Sequence, residues 1–87
     1  MKVEDTLKER AGTHGDFAVN AAAAQILKRV CRRQTITALN PSQREAIDNI
    51  CQKLARILTG NPNHADNWHD IAGYAMLVEK ELTNEIL

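Results

Sequence analysis

Aromatic side chains are scarce in this chain of 87 residues: Phe17, Trp68 and Tyr74 are the full set. A core must therefore be assembled from Ala, Leu, Ile and Val, each burying modest area. On so short a chain that core is marginal, and help from oligomerisation is expected. Charge of one sign is also missing, since 11 basic residues are matched by 11 acidic ones. The basic surplus that marks most nucleic-acid binders is absent, so nucleic acid is an unfavoured partner. No apolar run approaches the roughly 20 residues that cross a bilayer. The charged start Met1-Lys2-Val3-Glu4-Asp5 has no apolar stretch after it, which argues against secretion and for the cytoplasm. The two cysteines, Cys31 and Cys51, form no CxxC, which leaves a zinc site little support. They are expected to be reduced, buried core thiols. Nucleophilic catalysis has little to stand on: there is no Gly-x-Ser-x-Gly, no glycine-rich phosphate loop, and no His beside either cysteine.

What is present is helical periodicity. The spacing predicts one all-α domain over residues 1–87: three main helices, a short N-terminal one, and completion of the bundle by dimerisation. The short helix runs from Lys2 to Ala11 and stops at Gly12-Thr13-His14-Gly15, where two glycines in four residues predict a turn. Asp16 caps a second helix that extends to Arg33, with Phe17, Ala21, Ala24, Leu27 and Cys31 on its apolar stripe. Asn20 falls inside that stripe and reads as a buried amide bonded to a neighbouring segment, or as a substrate contact. The helix ends in Lys28, Arg29, Arg32 and Arg33, which suit its dipole and could also bind phosphate. Gln34 to Leu39 is β-branched but has no partner strand, so it reads as a loop.

Asn40-Pro41-Ser42-Gln43 is the clearest helix start. Asn40 caps, Pro41 takes the first helical position, and Gln43 completes a capping box. The third helix runs to about Thr59, with Ile47, Ile50, Leu54 and Ile57 on one face and Glu45, Asp48, Asn49, Gln52 and Arg56 opposite. Gly60 ends it, and Asn61-Pro62-Asn63 turns the chain. The last helix runs almost to Leu87, with Trp68, Ile71, Ala75, Val78, Leu82 and Ile86 along one face. Gly73 in its interior predicts a tight helix crossing. Met76 and Leu77, outside the main stripe, point to a subunit interface on the third and fourth helices.

The residues able to carry chemistry are acidic pairs. Glu45 and Asp48 lie three apart, Asp66 and Asp70 four apart, so each pair projects from one side of its helix. Four carboxylates on antiparallel helices could hold magnesium, with Lys53 and Arg56 neutralising a phosphate. No cofactor is certain on this basis; magnesium is the possible one. The alternative is a solvated charged face, with Asp70 paired to Lys53 or Arg56. His14 is left over once Gly15 is assigned to a turn, Asp16 to a cap and Phe17 to an anchor. His69-Asp70 matches the dipeptide of HD-type phosphohydrolases, whose further ligands need a much longer chain.

Glu9-Arg10, His14-Gly15-Asp16-Phe17, Lys53-Leu54-Ala55-Arg56-Ile57 with Gly60, and Asp66-Asn67-Trp68-His69-Asp70-Ile71-Ala72-Gly73-Tyr74 follow one order. That order resembles a family of small phage and prophage proteins of unknown function. The resemblance implies a bacteriophage or prophage origin and a location in the host cytoplasm, and it adds Trp68 and Tyr74 to the candidate residues. The second half is more weakly similar to MazG-like all-α nucleoside triphosphate pyrophosphohydrolases. That similarity implies magnesium held by Glu45, Asp48 and Asp70, but Asn67 stands where the second pair should begin with Glu. Three functions follow in order. The first is a phage accessory protein that binds a host or phage protein through its helical faces. The second is a magnesium-dependent nucleotide pyrophosphohydrolase, or a nucleotide-binding relic of one. The third is a small nucleic-acid-associated regulator using Lys28 to Arg33.

Overall fold

The computed structural model describes residues 2–34 and 38–83, with the backbone alone at Ala11, Thr13 and His14. Four helices follow one another: α1 (Val3–His14), α2 (Phe17–Arg33), α3 (Pro41–Thr59) and α4 (Ala65–Thr83). The described residues contain no strand, so the fold is all-α, as expected. Thr35 to Thr37, inside the loop expected from Gln34 to Leu39, lie outside the described residues. So do Ile86, placed on the last apolar stripe, and the expected end of that helix near Leu87.

Local chemistry sets the boundaries. The Asp16 side chain accepts from Ala18 N at 2.8 Å and starts α2. Asn40 accepts from Gln43 N at 2.7 Å while Gln43 accepts from Asn40 N at 3.0 Å, which is the capping box the sequence announces. Trp68 Nε1 donates to Pro62 O at 2.9 Å and fixes the approach to α4. The first turn differs from expectation. The helix passes through Gly12 and ends at His14, so the break narrows to Gly15 and Asp16. One helical Gly costs only about 1 kcal/mol, whereas Gly15 adopts φ +83°, a conformation that side chains resist.

α2, α3 and α4 pack as a layer with α3 in the middle, and α1 touches both α2 and α3. Asn20 of α2 reaches Thr59 of α3, and Cys31 of α2 reaches Cys51, so α2 runs antiparallel to α3. Asp70 of α4 meets Lys53, and Glu81 meets Ser42, so α4 is also antiparallel to it. Between α2 and α4 no pair of Cα atoms comes within 8 Å. The radius of gyration is 14.9 Å, against about 12 Å for a compact globule of this length. Among the described residues the buried apolar set is Ala24, Ala46, Cys51, Ala55 and Ile57, mostly small side chains.

The apolar stripes fall on one side of this layer. On α3, Ile47, Ile50, Leu54 and Leu58 share a face beside the seams, while Glu45, Asn49, Gln52 and Arg56 take the opposite one. Antiparallel right-handed helices then place Ile26 and Val30 of α2, and Trp68, Ala75 and Leu82 of α4, on the same side as Ile47. Ile47, Ile50, Ala75 and Val78 line one open groove there. Leu58, Leu82, Ile26, Trp68 and Val30 are each more than half exposed.

Several expectations change as a result. Phe17 anchors nothing: in the first turn of α2 it is 84% exposed. Cys31 is exposed rather than buried, because no helix closes over that side of the α2–α3 seam. Gly73 marks no tight crossing, since a Cβ there would meet nothing within 4 Å. At Gly15 a Cβ would collide with the Thr59 carbonyl oxygen and crowd Gly60 Cα at 3.2 Å. Gly15→Ala is therefore expected to lower unfolding free energy by more than about 1 kcal/mol. Gly73→Ala, in open space on a regular helix, should raise it by about 1 kcal/mol. Urea unfolding of the two variants checks both signs.

Candidate functional site

Two regions carry polar side chains that the packing has brought together. The first is the corner where the α1–α2 and α3–α4 turns meet. Gly15 packs on Thr59 and Gly60. Asn20, 7% exposed, donates through Nδ2 to Thr59 Oγ1 at 3.4 Å, and Thr59 Oγ1 donates to Ala55 O at 2.7 Å. Asn20 is thus a buried amide bonded across a helix seam, the structural alternative of its two readings. The candidate His14 side chain lies outside the described residues; Asp16 is a helix cap.

The second region is the polar side of the α3–α4 seam. Lys53 Nζ lies 3.0 Å from Asp70 Oδ2. The Lys53 side chain is 16% exposed and that of Asp70 41%, so the pair sits at the rim of the seam with the ammonium end more enclosed. The hydrogen bond from Lys53 holds the Asp70 carboxyl below its ordinary value, with the nearby positive charges of His69 and Arg56 adding to the effect. Arg56 is half-buried beside it. Next along the seam, Asn67 is 1% exposed and its Nδ2 has no hydrogen-bond acceptor. Sequence reasoning passed over this residue as a mismatch to a metal-binding Glu. Its spacing with Ile71, Tyr74 and Val78 was the available signal, because those four positions make the stripe that faces α3.

The four candidate metal ligands do not come together. Asp48 lies 3.8 Å from Arg32, Asp66 lies 3.8 Å from His64, and Asp70 is held by Lys53. Glu45 Oε2 accepts from Asn49 Nδ2 at 3.2 Å. Among the described residues no group of three His, Cys, Asp or Glu side chains is placed to hold a metal ion. A magnesium ion needs several oxygen donors at about 2 Å in near-octahedral array, and these carboxylates face four different partners instead. Lys53 is paired with Asp70, and Arg56 acts on the same carboxyl through its charge.

Tyr74 is half-buried in a groove of about 490 Å³ between α3 and α4, on the polar side. Ala46, Leu77 and Val78 share its floor and Glu45 and Glu81 its rim. Met76 and Leu77, expected at a subunit interface, are exposed beside this groove and a second one lined by Asp70, Gly73 and Lys80. They do not share the side of the layer that carries the main stripes.

The profile of a protein family described as a domain of unknown function (DUF6378) matches residues 2–82. The chain belongs to this family. No curated protein and no solved structure matches it. The family span takes in α1 to α3 and almost all of α4, and so both the polar seam and the open apolar side. No helix of the described residues is long and apolar enough to cross a membrane.

The Lys53–Asp70 pair yields a signed expectation. A carboxyl held low in the folded state contributes stability that is present above the usual carboxylate range near about 4. That contribution is lost as pH falls through the lower folded value. Asp70→Asn is expected to lower the melting temperature at pH 7 and to flatten the acid limb of the stability profile. Added magnesium should leave the melting temperature of both proteins unchanged. A magnesium-dependent rise in wild type that disappears in Asp70→Asn would restore the metal site.

Proposed function

We propose that this chain is a non-enzymatic helical interaction module that works as a homodimer, each copy covering the open apolar side of the other. The observation that carries this reading is a one-sided layer. Domains are stable when at least two layers of secondary structure enclose a core, and here a single layer leaves Ile26, Val30, Leu58, Trp68 and Leu82 largely in solvent. The accessible surface supports the same reading quantitatively. A compact monomer of 9.7 kDa exposes about 5,100 Å², whereas this chain exposes 6582 Å². The excess of about 1,500 Å² per chain is larger than the roughly 800 Å² each partner buries in a standard interface.

A second copy is the favoured occupant because two-fold stacking sets one open apolar side against another of the same width. Closed two-fold dimers are also the commonest assembly. The polar side, with Lys53, Asp70, Tyr74 and the groove they flank, then faces outward and is available to another protein. An accessory role in a phage or prophage, against a host or phage protein, fits such a module and rests on the resemblance of the sequence strings. Magnesium-dependent pyrophosphohydrolysis has no support in the geometry, because the carboxylates it would need are separated. The basic end of α2 gives little for nucleic acid, since Arg32 faces Asp48 and Lys28 is half-buried.

Light scattering on the purified chain should give twice the 9.7 kDa chain mass at micromolar concentration. Leu58→Glu changes a side chain that is 69% exposed in one copy, so the copy still folds. It should nevertheless weaken dimerisation by about 30-fold or more, as loss of an interface anchor does. Leu77→Glu, on the other side of α4, should leave the dimer intact. A monomer mass for wild type, or dissociation by Leu77→Glu alone, would overturn the reading.

A further inference from the structure

Cys31 near the end of α2 and Cys51 in the middle of α3 bring their Sγ atoms to 3.6 Å, across a sequence separation of 20 residues. Both are reduced. A disulfide holds its sulfurs about 2 Å apart, so closure needs about 1.5 Å of relative movement. The seam permits this, since α2 and α3 meet there through small side chains such as Ala24 and Ala55.

The two thiols differ in a useful way. Cys31 is exposed, beside a small cleft lined by Arg32, Leu39 and Arg44. Cys51 is 2% exposed. Burial pushes the Cys51 thiol up to about 11, with the hydrogen bond to Cys31 and the charges of Cys31 and Asp48 adding to the effect. Cys51 thus stays protonated and shielded from dissolved oxidants, while Cys31 is open to them.

We propose that Cys31 and Cys51 form an oxidisable pair that a hydroperoxide converts into an intrachain disulfide fastening α2 to α3. In the first step the Cys31 thiolate attacks one peroxide oxygen. The O–O bond breaks, Cys31 becomes a sulfenic acid, and hydroxide or alkoxide leaves. In the second step Cys51 sulfur attacks Cys31 sulfur. The S–S bond forms, the S–O bond breaks, and the departing hydroxyl takes the Cys51 proton and leaves as water. Two electrons pass from the thiols to the peroxide. The product ties together residues that bracket the connection from Gln34 to Asn40, and it restricts the unfolded chain more than the folded one. This proposal does not depend on dimerisation, because both cysteines belong to one copy and face one another across its own seam.

The test uses the full chain and hydrogen peroxide in slight excess. Intact-mass measurement after denaturing alkylation should show a loss of two hydrogens and no alkylation. Digestion should give a single cross-linked peptide containing both cysteines. The oxidised protein should melt at a higher temperature, and dithiothreitol should return it to the starting value. Cys31→Ser, at an exposed position, should fold normally and leave Cys51 unoxidised under the same treatment. Cys51→Ser should accumulate a Cys31 sulfenic acid that dimedone traps. Wild type that forms only Cys31-to-Cys31 links between copies, that accumulates sulfinic acid without the cross-linked peptide, or that does not react would overturn the proposal. So would equal oxidation of Cys51 in Cys31→Ser.

Discussion

The whole structure leans on one helix. α3 is the neighbour that both α2 and α4 use, and those two never approach each other. Its start is secured by local hydrogen bonds at Asn40 and Gln43, independent of what packs on it. Its flanks then carry cross-links that define the layer: Asn20 to Thr59, Cys31 to Cys51 and Arg32 to Asp48 on one side, Lys53 to Asp70 and Ser42 to Glu81 on the other. A chain arranged this way spends its apolar surface on two narrow seams. Small residues such as Ala24, Cys51 and Ala55 fill the α2–α3 seam, so those helices sit close but bury little. The larger aliphatic side chains are pushed to the edge of each seam, where they gather on one side of the layer.

That arrangement accounts for the local pairing of the charged groups along the seams. Charged groups on the polar side are spent on neighbours. Lys53 is largely enclosed and needs Asp70, while Asp48 faces Arg32 and Asp66 lies beside His64. A catalytic magnesium centre would require those carboxylates to converge on shared space, and the seam instead separates them by pairing each locally. Asn67 makes the same point in reverse. It is an amide enclosed between helices without an acceptor, a cost of about 1–3 kcal/mol that penalises any sliding of α4 into a register where an apolar residue would fit better. Buried polar groups are best attested in that register-setting role.

Much of the fold was legible in the residues because its determinants are local. Asp16, the Asn40–Gln43 box and Gly60 act within one helical turn, so their positions alone locate α2 and α3. The apolar stripes were legible in outline, although the positions of α4 that face α3 are Asn67, Ile71, Tyr74 and Val78, and Ile86 lies outside the described residues. What the stripes face was not legible. Periodicity says that Leu58 and Leu82 share a side with the core; it does not say whether a further layer covers them. The same gap explains Cys31, whose stripe position is correct but whose seam is open on one flank, and Gly73, where helix cost alone suggested a crossing that the packing lacks. At the candidate site, the pairing of Asp70 with Lys53 was one of the two outcomes the spacing allowed. The choice between pairing and metal binding depends on where side chains from separate helices end, which spacing along one helix does not determine. Asn67 was missed because attention to charge hid its place on the packing stripe.

The contact of Gly15 with Thr59 and Gly60 makes the two ends of the layer unequal. At this end one turn is seated in the other with no room for a methyl group, and Trp68 is tied back to Pro62. Chain length is therefore fixed here: one residue added between His14 and Phe17 would unseat α1 and α2 from the end of α3 together. At the opposite end Gln34, Ala38 and Asn40 are exposed and Leu39 is half-buried. Natural length variation and epitope insertion are therefore directed away from the corner where Gly15 meets Thr59 and Gly60.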